Sequence, residues 1–314
     1  MKQLKHLFIV NPNAGKGIAA DLGQKIEFLF SKIRERWPDT SYEIVYTEYP
    51  GHAKEIARKY SSGDTWRIYA VGGDGTLNEV LNGMAGSDSA LACIPGGTGN
   101  DFIQFLAGDI KRKELLKETI LGEEEAIDVG QINEHYFLNI ASIGFDAMAN
   151  YRTGKFKQKP FITPKAAYLG GILSTLVRRK PLSLTVDTGN GSRNAEVFMM
   201  TFCNGQVYGS GYRIAPEAKI NDGLLDIIEV APLSLREIAK YMPMLKSGEH
   251  LDQDIVNFYR TDRMTVTSDE ELLLNLDGES LFTRELDIKL HKGMVNMVFP
   301  RAISGKLEDD LLGL

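Results

Sequence analysis

Only two cysteines occur among the 314 residues, Cys93 and Cys203, far apart and each inside an apolar run. No Cys-x-x-Cys pair or metal-ligand spacing accompanies them, which argues against a disulfide scaffold and a zinc site. Isolated cysteines of this kind are small buried core residues. The five histidines are scattered, without a His-Glu-x-x-His pattern, so none is marked as a base or ligand. Long apolar runs are also missing. No stretch approaches the roughly 18 apolar residues of a membrane-crossing helix. The run from Leu7 to Val10 is ended at once by Asn11-Pro12, too soon for a signal segment. Positive charge is not in excess either: 36 Lys and Arg against 42 Asp and Glu leave a net charge of −6. Nucleic-acid binding by bulk charge is therefore not expected, although a local basic patch is not excluded. Repeats and low-complexity tracts are absent as well.

What remains is an ordinary globular composition, 43% hydrophobic and 25% charged, at a length that favours two domains. The first 130 residues alternate between strand and helix signals. Leu7 to Val10, Tyr42 to Tyr46, Arg67 to Val71 and Leu91 to Ile94 read as strands. Ile18 to Trp37, His52 to Tyr60 and Thr76 to Met84 carry apolar residues at three- and four-residue steps, as helices do. This order predicts a parallel sheet with helices on both faces. From about Ile127 strand signals dominate: Tyr136 to Ile143, Leu182 to Val186, Ala195 to Phe202, Leu224 to Val230, Met264 to Thr267, Leu272 to Leu276, Leu286 to Leu290 and Met294 to Phe299. Gly189-Asn190-Gly191 marks a hairpin turn. Two helical insertions are expected, near Pro164 to Arg178 and after the Ser234-Leu235-Arg236-Glu237 capping box. The second half thus reads as an antiparallel sandwich or barrel. The expected division is an α/β domain over 1–130, a β-sandwich domain over 131–300, and an acidic tail over 301–314 that could dock on the first domain.

The strongest chemical signal is Val71-Gly72-Gly73-Asp74-Gly75-Thr76-Leu77-Asn78-Glu79, which follows a strand and opens a helix. Glycines let the backbone approach a phosphate, and a helix N-terminus directs N–H groups at it. An Asp in that turn would repel phosphate directly, and makes sense with Mg²⁺ between them. The motif is neither a Walker loop nor the dinucleotide Gly-x-Gly-x-x-Gly. Two further polar, Gly-rich loops follow strands in the same half: Asn11-Pro12-Asn13-Ala14-Gly15-Lys16-Gly17 and Pro95-Gly96-Gly97-Thr98-Gly99-Asn100-Asp101-Phe102. In a parallel sheet all three lie at the carboxyl edge, where open α/β folds bind ligands. Lys16 is a candidate phosphate contact. Asp277-Gly278-Glu279 and Asn221-Asp222-Gly223, taken alone, read as turns with solvated carboxylates.

Together these motifs resemble the diacylglycerol kinase catalytic family, most closely its soluble bacterial members, with sphingosine and ceramide kinases more distant. The likeness continues through Asp128-Val129-Gly130, Ala218 to Asp226 and Leu276-Asp277-Gly278-Glu279, so it runs from Asn11 to Glu279. The resemblance implies an α/β nucleotide domain plus a β-sandwich, with the active site in the cleft between them. It implies an ATP- and Mg²⁺-dependent transfer of the γ-phosphoryl group to a lipid hydroxyl. Asn11, Pro12, Asn13, Ala14, Gly15, Lys16, Thr47, Gly73, Asp74, Gly75, Thr76, Leu77, Asn78, Glu79 and Thr98 would bind ATP. Glu279 would take the hydroxyl proton. Asp222, with the carbonyls of Lys219 and Leu224, would hold a structural Mg²⁺. Asp74, Asp101 and Asp128 would surround the catalytic metal and its waters. It further implies a cytoplasmic enzyme, peripheral at the inner face of the membrane, working on a membrane lipid at the bilayer surface and taking no nucleic acid as partner; a homodimer rests on analogy alone.

Two basic clusters, Lys155 to Lys159 and Arg178-Arg179-Lys180, flank an apolar segment from Phe161 to Val177. This suits either a surface touching anionic lipid or a core helix with solvated charged ends. The Gly-Gly-Asp-Gly turn also occurs in NAD kinases and phosphofructokinases, so a soluble-substrate kinase is the alternative. A catalytically idle nucleotide- or lipid-binding regulator is the third reading. Diacylglycerol, phosphatidylglycerol, a long-chain base and an undecaprenol-like alcohol are all open as acceptors.

Overall fold

The computed structural model describes residues 5–14, 18–36, 38–96, 102–103, 106, 110–157, 163–177, 180–209 and 211–301. Along the chain run β1 (Lys5–Val10), α1 (Ile18–Arg36), β2 (Ser41–Tyr46), α2 (His52–Ser61), β3 (Arg67–Gly72), α3 (Asp74–Met84), β4 (Ala90–Pro95) and α4 (Arg112–Ile120). β5 (Glu123–Ile132), β6 (His135–Phe137), β7 (Ile140–Gly144), α5 (Phe145–Lys157), α6 (Pro164–Val177), β8 (Leu182–Asp187), β9 (Ser192–Val197) and β10 (Met199–Cys203) follow. The remainder is β11 (Val207–Tyr208), β12 (Tyr212–Arg213), β13 (Leu225–Val230), α7 (Leu235–Tyr241), α8 (Met244–Ser247), β14 (Val256–Thr261), β15 (Arg263–Leu276) and β16 (Glu279–Phe299). The chain forms two compact units, Met1–Ile127 with Gly293–Leu314, and Asp128–Lys292. The expected divisions near 130 and 300 compare with 127/128 and 292/293 here. The second lies inside β16, whose far end pairs in parallel with β4 through Asn296↔Ala90 and Met297↔Leu91.

In the first unit the strands are parallel in the order β2-β1-β3-β4. β1 and β3 are buried almost throughout, as strands covered on both faces must be. One face packs Phe8, Val10, Tyr69 and Val71 against Ile26, Phe30 and Ile33 of α1 and Leu116 and Ile120 of α4. α2 and α3 pack against each other so closely that a Cβ on Gly83 would lie 2.3 Å from the Lys54 carbonyl oxygen.

The second unit is antiparallel and β-sandwich-like, with β14-β13-β10-β7-β15-β16 as its main order and the β8–β9 hairpin pairing with β15. One core cluster holds Phe137, Ile143, Val186, Phe202, Leu274 and Leu286; another holds Ile140, Phe198, Ile214, Ile228 and Ile238. The capping box at Ser234 is formed, with Ser234 Oγ accepting the Glu237 N–H and the Glu237 carboxylate accepting the Ser234 N–H.

Several expected segments are divided or joined differently. Tyr136 to Ile143 breaks at Leu138 and Asn139, whose N–H groups are drawn out of the ladder by Asp277. Ala195 to Phe202 breaks at Phe198, whose N–H and carbonyl pair with Val230 and Phe145. Met264 to Thr267 and Leu272 to Leu276 belong to one strand, interrupted by a bulge. The two segments at 286–290 and 294–299 are likewise one 21-residue strand, β16. α5 was not anticipated, because its apolar residues follow no clear helical stripe. β14 was not anticipated either, since Asn257 and Arg260 interrupt its apolar pattern.

His6 on β1 is buried, with Nδ1 2.9 Å from the Tyr69 hydroxyl. Burial, and then the charge of Arg67, pull its pKa down to about 3. The folded chain keeps this imidazole neutral, whereas the unfolded chain protonates it near the ordinary value of about 6.5. Stability is therefore lost as the pH falls from about 6.5 towards about 3. Replacing His6 by Gln removes this loss. In urea denaturation the stability of wild type relative to H6Q should fall by about 3 kcal/mol between roughly pH 7 and pH 4; a constant difference would contradict it.

Candidate active site

Three loops close over the carboxyl ends of β1, β3 and β4. The Asn11 N–H donates to the Val71 carbonyl at 2.9 Å, and the Gly96 N–H donates to the Gly72 carbonyl at 2.7 Å. The Asn11 side chain accepts the Asn13 N–H at 3.0 Å, an Asx turn, and its amide donates to Thr76 Oγ1 at 3.2 Å. The glycines are needed for closeness. A Cβ on Gly72 would sit 2.3 Å from Thr76 Oγ1, and one on Gly96 would sit 3.0 Å from Gly72 Cα and 3.1 Å from Ala14 Cβ. The described parts of the three Gly-rich loops thus converge. Thr47 is tied to the same edge, its N–H donating to the Val10 carbonyl at 2.9 Å.

Asp74 is the first residue of α3, after the extended Gly73, so the helix dipole favours its negative charge. It lies near enough to Cys93 that its charge, after burial, raises that thiol's pKa. Gly75 and Asn78 are half-buried, whereas Thr76 and Leu77 are buried. The Glu79 carboxylate accepts the N–H groups of Gly51 at 2.9 Å and Ala53 at 3.1 Å, at the start of α2. Pro12 and Asn13 are exposed. Gly15, Lys16, Thr98 and Asp101 lie outside the described residues.

In the second unit, Asp277 and Gly278 form the two-residue turn between β15 and β16, with φ of 49° and 101°. Positive φ at both positions is the type I′ geometry that suits a hairpin's twist. The Asp277 side chain is half-buried, and its carboxylate is engaged by the backbone. It accepts the N–H groups of Leu138 at 2.7 Å, Asn139 at 3.1 Å and Ile140 at 3.0 Å. Glu279, the next strand residue, is exposed and stands opposite Leu276.

Asp128 is buried, and its carboxylate accepts the Gly223 N–H at 2.7 Å. Its own N–H donates to the Ile220 carbonyl at 2.7 Å, so Asp128 grips the 219–224 loop at two points. Within that loop Asp222 accepts the Leu224 N–H at 3.1 Å. Asn204, which the motif reading missed, joins these parts. Its buried amide donates to the carbonyls of Asp128 at 3.0 Å and Leu138 at 2.7 Å, while its N–H donates to the Asn139 carbonyl at 2.9 Å. The only sequence hint was an Asn-Gly pair at a strand end. Asn204 Oδ1 and Asn139 Oδ1 are buried acceptors without a donor among the described residues. Asp226 is also buried: one oxygen takes the Arg260 Nε–H at 2.7 Å, while Oδ2 has no hydrogen-bond donor among the described residues.

Among the described residues no group of three or more His, Cys, Asp and Glu side chains forms a metal cluster. A cation here would be held by single carboxylates, backbone carbonyls and water. That oxygen-only set suits a hard ion such as Mg²⁺; Asp226 lies close enough to Asp222 for their charges to interact, but its own carboxylate is paired with Arg260.

Residues 5–132 match the model of the diacylglycerol kinase catalytic domain, and residues 139–302 match that of the YegS C-terminal NAD kinase beta sandwich-like domain. A diacylglycerol kinase of Bacillus subtilis (strain 168) is 30% identical over 310 residues, covering 96% of this chain and 98% of that protein. A protein named "Probable lipid kinase YegS-like" from Chromohalobacter salexigens is 32% identical over 257 residues, covering 80% of this chain and 81% of its own. A solved structure, a candidate diacylglycerol kinase from Bacillus anthracis str. Sterne, superposes with a TM-score of 0.75 at 27% identity, covering 97% of this chain and 100% of that one. The class these matches define is a kinase, built from a catalytic α/β unit and a β-sandwich-like unit in one chain. Within that class, this chain belongs to the diacylglycerol kinase family.

Asp277→Ala should cost about 3 kcal/mol in chemical denaturation, because three N–H groups lose a charged acceptor and Ala resists positive φ. Asp277→Asn, which tolerates that backbone and keeps one acceptor, should lose less than half as much. Equal losses would mean that the carboxylate bonds do not hold the turn.

Proposed function

We propose that this kinase transfers the γ-phosphoryl group of ATP to the hydroxyl of a diacylglycerol-like lipid, with Glu279 as general base. The observation that carries the nucleotide half is the convergence of the Asn11–Ala14, Gly72–Gly75 and Gly96 loops at one sheet edge, with their backbones in contact. Such an edge offers N–H groups and a helix N-terminus to phosphate oxygens. Thr47 and Thr76 border the same edge. Lys16, Thr98 and Asp101 are carried into the reading by their motifs.

The acceptor half rests on the Asp277 turn. In the proposed step the lipid oxygen attacks the γ-phosphorus as its proton passes to the Glu279 carboxylate. The bond from the γ-phosphorus to the β–γ bridging oxygen breaks, and ADP leaves. Holding Glu279 at the first position after a pinned turn costs little entropy at the moment of reaction. Mg²⁺, when bound, would neutralise charge on the phosphates. Asp74, Asp101 and Asp128 are the proposed carboxylates of that catalytic metal and its waters. Asp222 and the carbonyls of Lys219 and Leu224 would hold a second, structural ion. We place the enzyme in the cytoplasm, peripheral to the membrane that supplies its acceptor.

Purified protein, labelled ATP, Mg²⁺ and a panel of hydroxyl lipids in micelles, with NAD and fructose 6-phosphate as soluble acceptors, test the reading. Label should enter a lipid; label entering only a soluble acceptor would overturn it. Asp74→Ala and Glu279→Gln should each lower turnover by about a hundredfold or more; near-full activity in both would refute the site. Mg²⁺ should raise the melting temperature of wild type but not of Asp222→Ala, and an equal rise in both would remove the loop as a metal site.

A further inference from the structure

The turn that carries the proposed base is held at both of its loop residues. In a two-residue hairpin the strand ladder gives the loop backbone no partners. Here the Asp277 N–H donates to the Ile140 carbonyl at 3.1 Å, and the Gly278 carbonyl accepts the Asn150 side-chain amide at 3.3 Å. That carbonyl belongs to the peptide plane that also contains the Glu279 nitrogen and Cα. Whatever holds it sets where Glu279 leaves the turn.

Asn150 lies on α5, half-buried, and its surroundings fix its direction. Its amide also donates to Asn275 Oδ1 at 3.0 Å, and the Asn275 amide donates to the Tyr208 hydroxyl at 2.7 Å. Asn275 is 1% exposed, on β15 between Leu274 and Leu276, and it faces the side of the sheet opposite to these two core leucines. One turn earlier on α5, the Asp146 carboxylate accepts the Ser142 hydroxyl at 2.7 Å. Ser142 and Asn275 stand opposite each other on β7 and β15. Two helix residues four apart thus meet a cross-strand pair, which fixes the rotation of α5 and delivers the Asn150 amide to the turn. A buried amide is costly unless its bonds are made. A leucine at 275 would simply continue the apolar run from Leu272 to Leu276, yet the chain carries Asn there, bonded at both ends of its amide.

We infer that Asn150 is a positioning residue for the phosphoryl transfer: it holds the Gly278 carbonyl, and through that peptide the Glu279 carboxylate, in line with the acceptor hydroxyl. Asn275 and Tyr208 hold Asn150 in turn. The inference rests on the reading of Glu279 as general base. Misplacing a reacting group by about 1 Å costs about a hundredfold in rate. Losing one of several bonds that hold this turn should therefore cost about tenfold. Asp277 and Asn150 divide the work: the carboxylate, with three backbone bonds, keeps the turn folded, and the half-buried amide aims it.

The test is a double-mutant cycle of Asn150→Ala and Glu279→Gln in the full chain, assayed with ATP and diacylglycerol in mixed micelles. Alone, Asn150→Ala should lower kcat about tenfold while the KM values for ATP and diacylglycerol stay within about twofold of wild type. Its melting temperature should stay within about 3 °C of wild type, which separates aim from folding. In the Glu279→Gln background the same substitution should change the residual turnover by less than about twofold, because the group it positions is gone. An unchanged kcat, about tenfold losses in both backgrounds, or a loss confined to the KM for diacylglycerol would each overturn the inference; the last would make Asn150 a contact of the acceptor. Near-full turnover of Glu279→Gln would instead sink the base itself and the positioning role with it. A crippled Glu279→Gln beside an indifferent Asn150→Ala would leave the base standing and remove only the positioning role.

Discussion

The Asp277 carboxylate is the interaction on which the second unit's site depends. Leu138, Asn139 and Ile140 leave the β6–β7 path with three consecutive N–H groups to satisfy, and one side chain takes all three. Burying those donors without an acceptor would cost far more than the bonds return. The turn between β15 and β16 is therefore anchored to a break in another strand. Asn204 reaches the same break and extends the connection to Asp128, and Asp128 grips the 219–224 loop. A proposed base and a proposed metal loop, distant in sequence, share one hydrogen-bonded frame.

The first unit reaches rigidity by contact rather than by a side-chain hub. Its loops touch backbone to backbone at Gly72 and Gly96, and only the absence of Cβ atoms permits it. The arrangement leaves polar main-chain groups at a parallel sheet's carboxyl edge, a surface suited to phosphate. Glu79, a residue of the same motif, fixes the start of α2 through the N–H groups of Gly51 and Ala53.

Much was legible in the sequence because it depended on neighbours in the chain. The alternation of β1 to β4 with α1 to α3 followed from local periodicity, and the glycines around Asp74 announced a turn that needs close backbone approach. The Ser234 capping box was readable for the same reason: both of its partners lie within four residues. Motifs in a fixed order from Asn11 to Glu279 carried the family likeness. Errors arose where a distant residue decided. The break at Leu138 is set by a carboxylate 139 positions away, and β16 continues past Gly293 because its end finds β4.

Local sequence by itself determined the class of each half, the position of the Gly-rich loops and the family, since these rest on periodicity, turn chemistry and short motifs. Tertiary structure alone decided that Asp277 is a half-buried anchor rather than a freely solvated turn residue, that Asn204 joins Asp128 to the 138–140 break, and that α6 turns Leu169 and Leu173 outward. The physical reason is common to all three: which groups a side chain meets after folding is set by long-range packing and by the demand that buried N–H groups be satisfied, and neither is written in the residues next to it.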